Sequence, residues 1–443
     1  MKKGMAFAVA LFVLPGIVAG QQSSAPVAPA PPQAGRTQQV TAAQSPAPTR
    51  ITLDDAIRMS LLHNHALQAL RSTIQQSMAE EITANLRPNP TLGLDAQFLP
   101  IFQPSQFNSN FIEPQAQFDA GVGYLFERGK KRQHRLKAAQ DQTTVVRSQV
   151  SDSERQLVYN LGQQFVDVLL AESTLEFARQ DLESFQNTVD ISNERYRVGD
   201  MSESDFLKIK LQLLQFQTDV SAASLAKLQA LAALRQLLGF ESVPDDYDVQ
   251  GSLDYQPVHT DLSGLKAIAA ANRPDLRAAQ QAVAAAESQL ALQKANGKMD
   301  ITGTFNYTHT AGVNTGAFFY NQPLPIFNRN QGEIERAKHA ITQAEEQASE
   351  TTQQVSTDVV TAYENLQTND QIIQLYQGGY VEEAKQSRDI SEYAYRKGAA
   401  SLLDYLDAER TYRANQLAYR QALASYMLAL EQTREAIGTR NLP

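Results

Sequence analysis

Two hydrophobic periods divide the chain. The first has a repeat of two. Leu92, Leu94, Ala96 and Phe98 share one face of an extended run, and Thr91, Gly93, Asp95 and Gln97 share the other. Ala116, Phe118, Ala120, Val122 and Tyr124 then alternate with Gln115, Gln117, Asp119, Gly121 and Gly123. Later, Ile301, Gly303, Phe305 and Tyr307 alternate with Thr302, Thr304, Asn306 and Thr308, and a weaker run near Ala317 and Phe319 ends at Pro323. Alternation with one apolar face predicts strands between two different solvents. Strands are expected at about 91–98, 115–126, 300–309 and 315–322.

The second period is helical. Residues 53–86 read as a helix stopped by Arg87-Pro88-Asn89-Pro90. From about Lys130 to Arg197 there is no proline and one glycine, Gly162. A helix of that length spans about 100 Å, more than a globular core needs. A similar stretch from about Glu333 to Arg396 is interrupted only by Gly378-Gly379. Phe206, Ile209, Leu213, Phe216, Val220 and Ala223 recur at steps of three and four until Lys227. Tyr405, Tyr412, Tyr419 and Tyr426 are each seven apart, a spacing that specifies coiled-coil packing. As a tyrosine ladder it could be a ligand track; the packing seam is the preferred reading.

The chain contains itself twice. Residues 196–239 align without a gap on 395–438, with 12 identities in 44 positions. These include Gly199/Gly398, Ser202/Ser401, Asp205/Asp404 and Gly239/Gly438. Phe126-Glu127-Arg128 aligns with Phe327-Asn328-Arg329, and residues 53–86 with 262–295. One repeat therefore covers 51–239 and the other 262–443, joined by a linker at 240–261 that holds Pro244 and Pro257. Each repeat reads helix, strand, strand, long helix, turn, helix. The expected fold class is mainly α with a small β part.

Residues 1–20 have the form of a secretory signal peptide, with Lys2 and Lys3 before an apolar stretch and Val18-Ala19-Gly20 for cleavage. Residues 21–50, with six prolines, read as an extended tether. The absence of cysteine removes disulfides, thiolate catalysis, cysteine–metal sites and a cysteine-linked lipid anchor. A net charge of −9 without a basic tract argues against nucleic acid. No metalloprotease motif, dinucleotide fingerprint or phosphate loop occurs, so neither an enzyme nor a cofactor is expected.

Beyond the leader no stretch approaches 18 apolar residues, which leaves a soluble exported protein or a β-barrel. Four strands cannot close a barrel, so membrane-spanning strands would have to be pooled by several chains. Residues 99–114 would then be a long external loop, and Thr310 to Asn314 a short one. A hairpin packed on its own helices, in a periplasmic scaffold or adhesin stalk, is the rival.

The two tandem units behind a signal peptide resemble the TolC family of outer-membrane efflux channels. The most specific match is Tyr395-Arg396-Lys397-Gly398 followed by Leu403-Asp404-Tyr405-Leu406-Asp407-Ala408. The resemblance implies a homotrimer in the outer membrane of a diderm bacterium, with a shared twelve-stranded barrel in the lipid and a large periplasmic α-barrel. Its implied partners are outer-membrane lipid, a periplasmic adaptor and an inner-membrane pump of the RND type. It places adaptor docking at two hairpin tips, Val198-Gly199-Asp200 and Lys397-Gly398-Ala399, where Asp200 and Lys397 depart from the usual tip. It places a periplasmic gate at Asp404, Asp407 and Tyr395, although the expected arginine is replaced by Ala400. Ser401-x-x-Asp404 also reads as a capping box, and Lys208 stands where the first repeat would match Asp407. The junctions 126–132 and 324–332 resemble the branch serving cobalt, zinc and cadmium pumps. Drug efflux and type I secretion remain alternative cargoes.

Overall fold

The computed structural model describes residues 49–442, so the expected leader and nearly all of the tether lie outside the described residues. At the tether's end, Arg50–Ile51 forms strand β1 and pairs in parallel with β4, Asp248–Val249, inside the inter-repeat linker.

The helix expected over 53–86 is two helices, α1 (Leu53–His63) and α2 (His65–Asn85). Asn64 breaks it. Its side-chain oxygen accepts from the Leu67 amide at 3.0 Å, and its amide nitrogen donates to the Leu237 carbonyl at 3.0 Å. A side chain that caps the second helix while tying down another element offsets the lost helical bond. The second repeat breaks at the same place, between α6 (Leu262–Asn272) and α7 (Pro274–Asn296). There Pro274 sets the start, and buried Arg273 holds Asp275 at 2.6 Å and Asp358 at 2.9 Å.

Strand β2 is Thr91–Gln97, β3 Gln117–Phe126, β5 Ile301–Thr310 and β6 Val313–Asn321. Between β2 and β3 the expected loop contains a short helix, α3 (Ser109–Gln115), with Pro114 near its end. Gln115 thus lies in a helix rather than in a strand, because the Ala116 amide bonds the Ile112 carbonyl at 2.9 Å. The four strands form one antiparallel sheet in the order β2-β3-β5-β6. β5 and β6 are joined by Ala311 and Gly312, both at positive φ (48° and 76°), as a tight two-residue hairpin requires.

The long helix α4 runs Lys131–Arg197, 67 residues. It returns as α5, Glu203–Leu238. In the second repeat α8 (Gln331–Leu375) and α9 (Val381–Arg396) are separated by a π turn over Tyr376–Tyr380, where Gly379 has φ 122°. This is the Gly378-Gly379 interruption. Helix α10, Leu402–Ile437, returns. Helix α4 packs on α2, α5, α7 and α10, so the two repeats share one interior. The seam holds Phe185 stacked on Phe216 at 4.4 Å, with Ile209 and Tyr405 buried beside them. Tyr405 and Tyr426 are buried, and the Tyr426 hydroxyl donates to the Gln256 carbonyl at 2.7 Å, as a packing seam demands. Lys227, where the apolar stripe stops, reaches Glu172 at 3.1 Å and Asp248 at 2.9 Å.

Candidate functional site

The register makes the sheet two-faced. Leu92 pairs with Val122, Val122 with Phe305 and Phe305 with Phe318, so one apolar row crosses all four strands; in β6 that row is Phe318 and Tyr320, whereas Ala317 and Phe319, expected on the apolar side, stand opposite Asn306 and Thr304 on the other face. Leu94, Val122 and Phe318 on that face are 75%, 52% and 86% exposed, so the chain's own helices do not cover it. A large uncovered apolar patch marks a surface made for another phase. Phe305 and Phe318 pack at 4.9 Å.

The opposite face carries Asp95, Asp119, Asn306, Thr304 and Thr308. Asp95 stands in register with Asp119, and Asp119 with Thr308. Asp119 accepts from Gln117 at 2.8 Å, from Asn306 at 3.1 Å and from Thr308. Such a network belongs beside water. Strands β2 and β6 each have one neighbour, leaving two open edges, which stable proteins do not leave unmanaged. Among the described residues no helix is long and apolar enough to cross a membrane.

At the far ends of the long helices lie the two tips. Val198 and Lys397 share φ −88°, ψ 0°, and the following glycines have φ 80° and 74°. The repeats therefore reverse by the same turn, and a side chain with a Cβ is disfavoured at Gly199 and Gly398. Open space surrounds both glycines. Val198 and Leu403 are each 76% exposed. Asp200 accepts from Arg195 Nε at 3.0 Å, and Arg195 Nη1 donates to the Tyr395 carbonyl at 3.1 Å. The Arg195 guanidinium also lies over the Tyr395 ring, 5.4 Å from its centre. Arg195 thus fastens one tip to the other, a role with no signal in the local sequence.

Tyr395 is buried, stacked on Tyr405 at 5.5 Å, with its hydroxyl 3.4 Å from Ser192. Asp404 completes a capping box with Ser401, whose bonds hold its carboxyl below the usual range. Asp407 lies one turn on and meets Arg410 at 2.6 Å, an exposed pair that contributes little stability. The three residues expected at a gate therefore sit within one helix–turn–helix end. Asp404 and Asp407 face out, and Tyr395 faces in.

Above the tips is a buried ionic cluster between the repeats. Arg413 lies 2.6 Å from buried Asp181, outside hydrogen-bond geometry, and also pairs with Asp219. Buried Glu409 neighbours Asp181, with Arg388 at 3.9 Å. Burial and then the Asp181 charge push the Glu409 carboxyl up. The sequence did carry a signal here. Steps of three and four from Tyr405 to Tyr412 make Glu409 a charged residue in an apolar seam. Among the described residues no group of three carboxylates or imidazoles could hold a metal ion.

The profile of a family described as outer membrane efflux protein matches residues 56–240 and 266–439. The cobalt-zinc-cadmium resistance protein CzcC of Cupriavidus metallidurans is 22% identical over 391 residues, covering 88% of each chain. The pyoverdine export outer membrane protein OpmQ of Pseudomonas putida is also 22% identical, over 81% of this chain and 80% of its own. Among solved structures, that of CusC superposes with a TM-score of 0.71 at 18% identity, covering 87% of this chain and 92% of that one.

Proposed function

Because the chain belongs to the outer membrane efflux protein family, it is an outer-membrane channel with a large periplasmic portion, and we propose that it is the passive exit duct for a pump of metal cations. Members of the family form trimers and work with an adaptor and an inner-membrane pump. The observation that carries the conduit is the two-faced sheet with two open edges. Three such sheets supply twelve strands, enough to close a barrel, with apolar residues toward lipid and Asp119, Thr304 and Thr308 toward water.

Cobalt, zinc and cadmium are the favoured cargo because CzcC aligns across nearly the whole chain. Deleting the gene in its host should lower the tolerated concentration of these ions. Unchanged tolerance together with impaired pyoverdine export would favour instead the cargo named for OpmQ. An RND-type pump is the inner-membrane partner this reading requires. The adaptor meets the tips at Val198, Gly199, Asp200, Lys397, Gly398 and Ala399, which present two copies of one turn with an exposed Val198.

In the trimer, Asp404 and Asp407 form acidic rings at the periplasmic mouth, and Tyr395 anchors the helix end that bears them. Rings of carboxylates favour cations and narrow a pore by their charge and size. Replacing both by alanine (Asp404→Ala with Asp407→Ala) should raise single-channel conductance in planar bilayers and weaken cation preference. Unchanged values of both would remove the gate and leave Asp404 as a helix cap.

A further inference from the structure

The junctions between sheet and helices carry a charge pattern that conduction does not need. The whole chain has a formal charge of −9. Yet Arg87, Arg128, Lys130, Arg132, Lys298 and Arg329 gather where the strands meet the helices. Only two carboxylates lie in these junctions, and both are already engaged: Asp300 by Lys131 at 2.7 Å and Glu127 by Arg135 at 2.8 Å. Among the described residues none of the six cations forms an ion pair. The other end of the sheet is different. Residues 98–116 and 310–313 hold a single charged side chain, Glu113.

The cations lie beside lipid-facing groups. A concavity of about 300 Å³ is lined by Arg87, Lys130 and Arg132 and by Glu127, whose charge Arg135 takes up, together with Tyr124 and Phe126, which continue the apolar row of β3. Nearby, Leu324, Ile326 and Phe327 are 74%, 61% and 89% exposed. Aromatic and aliphatic groups at the edge of an apolar belt sit at the depth of lipid headgroups, and long basic side chains extend to the phosphates there. Unpaired cations continuous with a lipid-facing surface are complementary to an anionic headgroup.

We propose that this collar binds anionic phospholipids of the periplasmic leaflet, with Arg87, Lys130 and Arg132 holding the headgroup phosphate and Tyr124 and Phe126 packing on the upper acyl chain. The proposal rests on the strands spanning the membrane. It goes beyond conduction by naming the lipid class that seats the barrel and by fixing its height through one leaflet.

The test uses the full trimer, released from bilayers of equal phosphatidylglycerol and phosphatidylcholine, with retained lipids counted by native mass spectrometry. Phosphatidylglycerol should be enriched about fivefold over phosphatidylcholine, about the effect of one basic side chain on a net anionic headgroup. Arg87→Gln with Lys130→Gln and Arg132→Gln should bring the ratio close to parity, and Arg87→Lys with Arg132→Lys should keep the enrichment. If the neutralised variant does not assemble, the wild-type ratio and the charge-keeping variant decide. Parity in the wild type, or enrichment that survives neutralisation, overturns the proposal. Displacement of phosphatidylglycerol by millimolar inorganic phosphate overturns it too, since the ligand would then be free phosphate. Conductance of the same preparation separates this outcome from failure of the channel reading: a trimer that conducts without lipid preference loses only the collar.

Discussion

Val122→Arg is expected to abolish the detergent-resistant trimer, whereas Thr304→Arg should leave most of it. Val122 lies mid-strand in β3, in register with Leu92 on one side and Phe305 on the other, and its face is bare of the chain's own helices. An arginine there would face hydrocarbon, at a cost of about 2–4 kcal/mol at the bilayer midplane. The cost recurs in each subunit of one barrel. Thr304 points to the other face, between Gly123 and Phe319 in the ladder, where a charge keeps its water. The trimer fraction on unheated gels measures the difference. Equal tolerance of the two substitutions would mean that the sheet does not separate lipid from water.

The second large effect concerns the ionic cluster between the repeats. Arg413→Ala should destabilise the helical part by about 3–5 kcal/mol, because it removes the ion-pair partner of the buried Asp181 carboxyl. The same cluster sets a pH dependence. Burial and the neighbouring Asp181 push the Glu409 carboxyl from 4.5 up to about 8, and burial also raises Asp181. Arg388 and Arg413 act against that rise without cancelling it. A raised carboxyl binds its proton in the folded state where the unfolded chain has already lost it. Its contribution is therefore complete below about 4.5 and declines as the pH rises through about 8. The melting temperature should fall between pH about 4.5 and pH about 8 and level off above, and Glu409→Gln should flatten that fall. A variant that melts with the wild-type slope would show that Glu409 does not hold the proton.

Much of the architecture could be read from residue patterns because it follows from short-range rules. Leu92, Leu94 and Ala96 against Thr91, Gly93 and Asp95 specify a strand between two solvents, and the ladder places them so. The duplicated glycines demand positive φ, and both turns have it. The family resemblance, resting on Tyr395 to Ala408 and the tandem repeat, is borne out by the matched profile.

What escaped depends on partners distant in the chain. Asn64 looks like an ordinary helical residue until the Leu237 carbonyl is placed beside it. The pairing of Arg50–Ile51 with Asp248–Val249 joins segments nearly two hundred residues apart, each too short to show a period. The Pro114 helix depends on local bonds that a proline normally argues against. Arg195 is one exposed-looking basic residue among several until Tyr395 and Asp200 surround it. Pro274 differs from these, since a proline is by itself a local reason for a helix over 262–295 to break there.

The chain has no cysteine, so single thiols introduced by Thr304→Cys and Phe305→Cys can be read without background. Conducting trimers in a planar bilayer should lose current when a charged, water-soluble thiol reagent meets Thr304→Cys, and should keep it with Phe305→Cys. Current unaffected by either, or equally blocked by both, would contradict a pore whose wall alternates between water and lipid.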